Sequence, residues 1–349
     1  MSALTLDDYL ARHGNNGHDH GQAVATTLGA LTRGAIAVRQ TIDLGALGAA
    51  FAGQVGGTNA GGDAQKDLDV LADELMLDAV RQAPVALYAS EELEHPVVLD
   101  RNAPLAIAID PLDGSSNIDT NVSIGTIFSI LPALQPEAGD ELATFLQPGR
   151  RQLAAGFFIY GPQLALVLTL GEGTEIFVYS PRVGRFLHAY QQVSVPTRTQ
   201  EFAVNAANYR HWDGAVRHYI DACLEGADGP QGVDFNMRWI ASLVAETYRI
   251  LIRGGVFLYP GDRRKGYAHG RLRLVYEANP IAYLIEEAGG LATDAFTPIL
   301  DINPTSLHQR TPLVFGSRDE VVQIRRYHDE PDPVGLRSPL FGSRGLFRN

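Results

Sequence analysis

The sequence predicts an α/β protein of two domains, and three observations carry that expectation. Short apolar runs bounded by turn residues, PVALYAS (84–90) and PLAIAID (104–110), have the length and composition of buried strands. They are interleaved with helical spacing, as at Leu68, Leu71, Ala72, Leu75 and Ala79. The alternation weakens between 180 and 200, around Pro181 and Pro196, and then restarts. The predicted division is an N-terminal domain over 1–195 and a C-terminal domain over 196–330. A Pro- and Gly-rich tail at 331–349 is expected to be flexible.

In chain order, residues 21–50 contain two short helical patterns separated by glycines. GGTNAGGDAQ (56–65) has loop composition. A helix with one strong core face is predicted over 67–82. AAGFFIY, QLALVLTL and TEIFVYS, joined by Gly-Pro and Gly-Glu-Gly, predict an antiparallel meander over 154–180. Helices are expected at 212–224 and 239–252, and GVFLYP is a strand. LRLVYE reads as another strand, ending in Glu277. NPIAYLIEEAGG predicts a helix with Asn279 as N-cap, Pro280 in its first turn and Gly289 at its stop. The strand PLVFGS and a helix at 318–328 follow.

The bulk numbers exclude several classes. Of 349 residues, 45% are hydrophobic and 19% charged, which supports a large core and argues against disorder. A net charge of -12 disfavours nonspecific binding to nucleic acid or to an acidic membrane. No apolar run approaches the roughly 18 residues of a membrane span. MSALTLDDYLARHG has early acids and no apolar centre, unlike a signal peptide. The lone Cys223 allows no intrachain disulfide and reads as a small core residue of a helix. A cytoplasmic protein is expected.

Acidic residues gather at element ends. Asp63 and Asp69 flank a helix start, Glu91 and Glu92 end one strand, Asp110 and Asp113 end the next, and Glu277 ends LRLVYE. Strand ends and their loops are where sites form in open α/β sheets. Two like charges about 4 Å apart repel by roughly 4 kcal/mol at an effective dielectric near 20. Several converging carboxylates therefore call for cations, and hard divalent ions such as Mg²⁺ or Mn²⁺ suit oxygen donors. HDH at 18–20 also resembles a metal motif, but its Gly/Asn-rich surroundings favour a solvated loop. In DPLDGSSN, Asp110 and Asp113 can grip metal from a turn, with the Leu112 carbonyl between them. The N–H groups of Gly114, Ser115 and Ser116 can then hold a phosphate. That pairing suits metal-assisted phosphoryl hydrolysis, one ion activating water and another stabilising the leaving oxygen. Asp-Pro-Leu-Asp-Gly is also a common turn and Ser-Ser-Asn a common cap, so the pentapeptide alone leaves both readings open.

DPLDGSSNID followed by VSIGTIF resembles the signature of class I fructose-1,6-bisphosphatases, within the lithium-sensitive inositol-phosphatase-like superfamily. GDAQKDLDVLADEL, SEE, RWIASLVAETYR, GGVFLYP, GRLRLVYEANPIAYLIEEAGG and LHQR fall in the family's order, so the resemblance covers roughly 60–320. It implies a layered α/β/α/β/α sandwich, assembled as a homotetramer or at least a dimer. It implies Glu91, Asp110, Asp113 and Glu277 as metal ligands, with the Leu112 carbonyl, and Asp63 in an outer metal cluster. Asp69 and Glu92 correspond to the pair that orients and deprotonates the attacking water. The cleaved phosphate would rest on Gly114, Ser115 and Ser116. The retained phosphate would meet Asn205, Tyr209, Tyr259 and an Arg238 supplied by a neighbouring subunit. Each tyrosine taken alone reads better as a half-buried aromatic with a bonded hydroxyl, and the surrounding family matches reverse that preference.

Two departures bear on specificity. Trp239 stands where the family usually has Tyr, and Arg271 where it usually has the Lys that binds sugar and phosphate. The expected reaction is hydrolysis of the 1-phosphate of fructose 1,6-bisphosphate, in gluconeogenesis or the Calvin cycle, with two or more Mg²⁺ ions per subunit. Sedoheptulose 1,7-bisphosphate is the alternative substrate. An inositol-monophosphatase-like enzyme and a non-catalytic sugar-phosphate-binding protein are the remaining alternatives. Pro104 and Leu105 replace the Lys-Tyr pair of AMP-inhibited relatives, and GQAVATTLGALTRG lacks their N-terminal motif, so weak or absent AMP inhibition is expected.

Overall fold

A computed structural model of the protein describes residues 4–329 apart from 16, 18, 19, 53–62 and 135–139, and excludes the side chains of 45–52 and 63–67. His18 and Asp19 of the HDH motif, most of the 56–65 loop and the 331–349 tail lie outside the described residues, and His20 is exposed.

The N-terminal half begins with helices α1 (Leu6–Asn15), α2 (Gly21–Ala52) and α3 (Asp63–Val80). Strands β1 (Val85–Ser90), β2 (Val97–Val98), β3 (Leu105–Asp113), β4 (Ile124–Pro132), β5 (Ala154–Tyr160), β6 (Leu164–Thr169), β7 (Thr174–Ser180) and β8 (Arg185–Val193) form one sheet, in the order β2-β1-β3-β4-β5-β6-β7-β8. β1 and β3 run parallel, and the meander from β3 to β8 is antiparallel. The C-terminal half places β9 (Glu201–Val204), β10 (Asn236–Met237) and β11 (Val256–Tyr259) in a second sheet. A pair formed by β12 (Leu272–Arg273) and β14 (Arg310–Thr311) stands apart, while β13 (Leu291–Thr293) and β15 (Leu313–Gly316) complete the second sheet. Its helices are α4 (Gly214–Glu225), α5 (Leu243–Arg253), α6 (Asn279–Glu287) and α7 (Arg318–Asp329).

Strand alternation sorts the side chains into layers. Leu28, Leu31 and Met76 of the first three helices meet Ile107, Phe128 and Phe158 on one face of the first sheet. Ile127, Phe157 and Val167 on its other face pack against α5 and α6, which also cover Phe257 and Phe315 of the second sheet. The far face of the second sheet, with Phe202 and Val314, is closed by α4 and α7. The layers therefore run α/β/α/β/α. Both sheets are covered on both faces, which explains strands that are apolar without alternation.

Four expectations change in detail. Residues 21–50 form one helix rather than two, because the glycine between the patterns serves close packing. A Cβ at Gly34 would stand 2.8 Å from Met76 Sδ and 3.1 Å from Ala79 Cβ of α3. LRLVYE is a strand only over Leu272–Arg273; Leu274–Ala278 turns into a π-helical segment that runs into α6. Asn279 is consequently helical, with φ −62° and ψ −52°, and is not an N-cap. The weak stretch after 180 holds β8, most of whose second half is exposed, and the first sheet ends at Val193. The remaining helices agree with expectation within a few residues, α4 starting at the Asp213 cap and α5 at the Ser242 cap.

Candidate active site

Three carboxylates meet where β1, β3 and the π-helical segment end. Glu91, Asp110 and Glu277 each present an oxygen within 4.8 Å of the others. Asp110 and Glu277 are buried. The backbone supplies part of their support. The Leu112 N–H donates to Asp110 Oδ1 at 3.0 Å, and the Arg273 N–H donates to Glu277 Oε2. Arg273 also stands beside Glu91, with Nε 3.3 Å from Oε1.

A bulge explains how Asp110 and Asp113 act together. Residues three apart on a regular strand face opposite ways. Here Asp110 lies opposite Ile127 and Asp113 opposite Gly125, so β3 carries one extra residue between them. Pro111, which cannot donate to a ladder, sits in the bulge, and its carbonyl accepts from Thr126 Oγ1 at 2.8 Å. Asp113 is directed to the start of α5, where its Oδ2 accepts from the Val244 N–H at 2.9 Å.

The electrostatics are those of a site built for added positive charge. Burial raises Asp110 and Glu277 well above the usual carboxylate range, and Glu91 and Asp113 add to the shift. Burial also raises Glu91, against the pull of Arg273. Asp113 is pushed up to about 6 by burial, against the stabilising N–H of Val244. Asp69 on α3 is raised to about 6 by burial and by the neighbouring Glu92, while a hydrogen bond with the Ser115 side chain opposes the rise. Asp69 Oδ1 is buried and, among the described residues, has no hydrogen-bond partner. An all-oxygen donor set with raised pKa values and an orphaned carboxylate oxygen fits hard divalent cations.

Next to Asp113, Gly114 adopts φ +76° and opens a short helical turn over Ser115–Asn117. Asn117 Nδ2 ties this turn to the Ala241 carbonyl at 2.8 Å, just before α5. A Cβ at Gly114 would press on Ser242 at 3.3 Å, in a backbone conformation that L side chains rarely adopt.

A second concavity lies in the C-terminal half. Asn205, Asn208, Tyr259 and Arg271 line it, together with Asp262, Arg264 and Tyr267 from the loop after β11. Arg271 lines this pocket, and Arg273, two residues further along β12, reaches the carboxylates. Two residues of extended chain span roughly 7 Å.

Comparison with known proteins agrees over nearly the whole chain. Residues 4–191 match the family described as Fructose-1-6-bisphosphatase, N-terminal domain, and residues 195–329 match its C-terminal domain. The class 1 fructose-1,6-bisphosphatase of Rhizobium meliloti (strain 1021) is 62% identical over 348 residues, covering 100% of both chains. That of Azorhizobium caulinodans is 56% identical over 308 residues, covering 88% of this chain and 94% of the relative. The crystal structure of Leishmania major fructose-1,6-bisphosphatase in holo form superposes with a TM-score of 0.84 at 31% identity, covering 94% of this chain and 100% of that one.

The chain belongs to the fructose-1,6-bisphosphatase family.

Within the fructose-1,6-bisphosphatase family, the remaining expected site residues fall as follows. Asp63 begins α3, and its side chain lies outside the described residues. Glu92 is exposed beside the cluster, its N–H donating to Ser90 Oγ at 3.2 Å. Arg238 is exposed and does not line this pocket; its Nε is 3.5 Å from Glu201 Oε1. Trp239 lies nearly parallel to Phe257 and Tyr259, at interplanar angles of 10° and 7°, and those two rings also neighbour each other at 6.1 Å. Tyr209 departs from expectation. Its hydroxyl donates to Asp221 Oδ1 at 2.7 Å, and Asn208, one residue earlier, faces the pocket instead. Sequence reading missed Arg264 and Tyr267, which sit in a loop without a recognisable motif, and Asn208, which lies in the helical turn Ala206–His211 beside the selected Asn205 and Tyr209. It also missed Arg273, whose place four residues before Glu277 was the available signal.

Proposed function

We propose that this phosphoric monoester hydrolase removes the 1-phosphate of D-fructose 1,6-bisphosphate, giving fructose 6-phosphate and phosphate. The observation that carries the reading is the pairing at β12, with Arg271 just before the strand and Arg273 in it. A buried carboxylate cluster and a guanidinium-lined pocket stand two residues apart, matched to a substrate with phosphate at both ends.

In this reading Glu91, Asp110, Asp113 and Glu277, with the Leu112 carbonyl, hold Mg²⁺, for which Mn²⁺ substitutes, at two or more sites that include Asp63. The bound ions supply neutralising charge for the cluster and for the departing phosphate oxygens. Asp69 and Glu92 orient the attacking water, and the unpartnered Asp69 Oδ1 takes its proton. In the metal-free chain burial and the neighbouring Glu92 raise Asp69 to about 6, which marks it as a basic carboxylate suited to accept a proton. Ser115 holds the other side of that carboxyl through its hydrogen bond. The positive φ of Gly114 turns the chain so that the N–H groups of Ser115 and Ser116 lead the turn that receives the reacting phosphate.

Asn205, Tyr259 and Arg271 bind the retained phosphate, joined by Arg238 of a neighbouring subunit in a homotetramer. The exposure of Arg238 and its absence from its own pocket support that exchange. The domain division lies at 195/196, and the setting is cytoplasmic sugar-phosphate metabolism, gluconeogenic or photosynthetic. Among the described residues no helix is long and apolar enough to cross a membrane.

A second substrate, sedoheptulose 1,7-bisphosphate, is favoured by the pocket's departures. Tyr209 is turned away and Trp239 carries no hydroxyl, so contacts that would fix a six-carbon sugar are fewer. Phosphate release from both bisphosphates with Mg²⁺, at matched concentrations, tests the reading. Release from fructose 1,6-bisphosphate is expected, and comparable release from the seven-carbon ester supports dual specificity. No release from any sugar bisphosphate would leave a binding protein.

A further inference from the structure

The pocket reserved for the retained phosphate has lost two hydroxyl donors, at Tyr209 and at Trp239. The loop between β11 and β12 brings a guanidinium to the same pocket. We infer that Arg264 is a phosphate-binding, specificity-determining residue of this site, acting beside Arg271 on the end of the substrate that is not cleaved. The inference rests on the proposed bisphosphatase reading and extends it to a residue that motif comparison does not select.

Three observations support it. Arg264 is held in place before any ligand arrives. Its Nε donates to both oxygens of Asp262 at 3.0 Å, and Nη2 donates to Asn208 Oδ1 at 3.0 Å and to Asp262. Asp262 is itself buried and accepts the Arg264 N–H at 2.9 Å, so the loop and the side chain form one closed unit. Second, these bonds use Nε and Nη2. Among the described residues Nη1 has no partner, which leaves one edge of the planar fork for an oxyanion. Third, Tyr267 is a shared platform. The Arg264 guanidinium carbon lies 4.3 Å from its ring centroid and that of Arg271 lies 5.0 Å from it. Both are within cation–π range, so the ring gathers two like charges at one pocket wall. Asp262 offsets one of them, and a phosphate dianion would complete the neutralisation.

The asymmetry of tether and free edge explains why an arginine with a buried carboxylate partner still serves as a ligand. The carboxylate fixes the plane of the fork, and ordering entropy is spent before binding rather than during it. A lysine would keep the charge but lose both the tether and the fork.

The test compares wild type, Arg264→Gln and Arg264→Lys. The substrates are fructose 1,6-bisphosphate and fructose 1-phosphate, which lacks the retained phosphate. Binding of fructose 6-phosphate is followed separately by calorimetry. Arg264→Gln should raise KM for the bisphosphate at least tenfold with kcat within threefold, and should weaken fructose 6-phosphate by a similar factor. The loss in kcat/KM on fructose 1-phosphate should stay below threefold, and Arg264→Lys should fall between Gln and wild type. Equal losses on the two substrates would reduce Arg264 to loop support and overturn the inference. An unchanged KM and unchanged fructose 6-phosphate binding would do the same, as would failure of the wild type to bind fructose 6-phosphate. A wild type that binds fructose 6-phosphate through Arg264 but releases no phosphate would instead overturn the bisphosphatase reading alone.

Discussion

The carboxylate cluster and the guanidinium pocket solve opposite electrostatic problems by opposite means. The cluster gathers Glu91, Asp110 and Glu277 on strand ends and on the π-helical segment, with Arg273 as the adjacent cation. Like charge is left uncompensated, and its cost appears as raised carboxylate pKa values. The pocket sets Arg264 against Asp262 within a loop, so much of its charge is balanced internally. A site for small, highly charged cations has to be rigid and short of positive charge. A site for a bulky dianion can be built on a loop and held by its own counter-charges. Removing a cluster member should therefore damage chemistry more than folding, and removing a pocket member should damage affinity more than chemistry.

The largest expected effect is on turnover. Asp110→Asn keeps shape and burial but removes one of the converging charges. A fall in kcat of roughly a thousandfold is expected, on the scale of losing a preorganised electrostatic partner of the reaction. The metal-free variant should melt no lower than wild type, because like-charge repulsion has been relieved. A melting temperature several degrees lower, with kcat within tenfold, would reverse the contrast between the two regions.

The second effect is on the pH dependence of stability without metal. Burial pushes Asp69 and Asp113 up to about 6 in the folded chain from an ordinary 3.8, and raises Asp110 and Glu277 well above the usual carboxylate range. Between those limits the folded state binds more protons than the unfolded one, so stability falls as pH rises through the window. Metal-free protein should thus melt at a lower temperature at pH 8 than at pH 5. Cations bound by the ionised cluster would offset the loss, so Mg²⁺ should raise the melting temperature more at pH 8 than at pH 5. A Mg²⁺ response independent of pH would argue that these carboxylates are not the ligands.

What was readable in the sequence follows the same division. Asp110 and Asp113 share one short motif, and Glu91 and Glu277 close the adjoining apolar runs. Strand ends, burial and acid therefore coincide within a few letters. The α/β class was legible because short apolar runs are interleaved with helical spacing, whereas the five layers followed only from the family resemblance. The π-helical segment was not, since LRLVYE satisfies a strand's length and composition, and only packing into α6 decides otherwise. The single long helix α2 was hidden by Gly34, whose reason is the approach of Met76 and Ala79 from a distant segment. Pocket residues were hidden for a related cause. Arg264 acquires its geometry from Asp262 and Asn208, and such tethers across loops leave no periodic trace.

Tyr209 sharpens this point at moderate size. Sequence position suggests a phosphate donor, whereas the structure gives its hydroxyl to Asp221 on α4. Tyr209→Phe should cost about 1 kcal/mol of stability, the worth of one partly buried hydrogen bond. KM for the bisphosphate should stay within twofold. A tenfold rise in KM with stability intact would return Tyr209 to the pocket.

The smallest expected effect concerns Trp239. Its indole packs beside both Phe257 and Tyr259, with ring centroids 5.9 and 6.2 Å away, so it steadies a pocket tyrosine without offering a hydroxyl. Trp239→Tyr exchanges stacking area for a hydroxyl. The hydroxyl should lower KM by about threefold if it reaches the retained phosphate, a net hydrogen bond of ordinary strength. The lost ring area should lower the melting temperature slightly, because the smaller ring fills the stack less well. The sugar chain length separates the two contributions. If the stack mainly shapes the pocket, the variant should improve the six-carbon bisphosphate more than the seven-carbon one, since a new contact fixes where the phosphate sits. Equal improvement on both would assign the gain to charge and hydrogen bonding alone, and would make the width of the pocket a property of Arg271 and its loop rather than of Trp239.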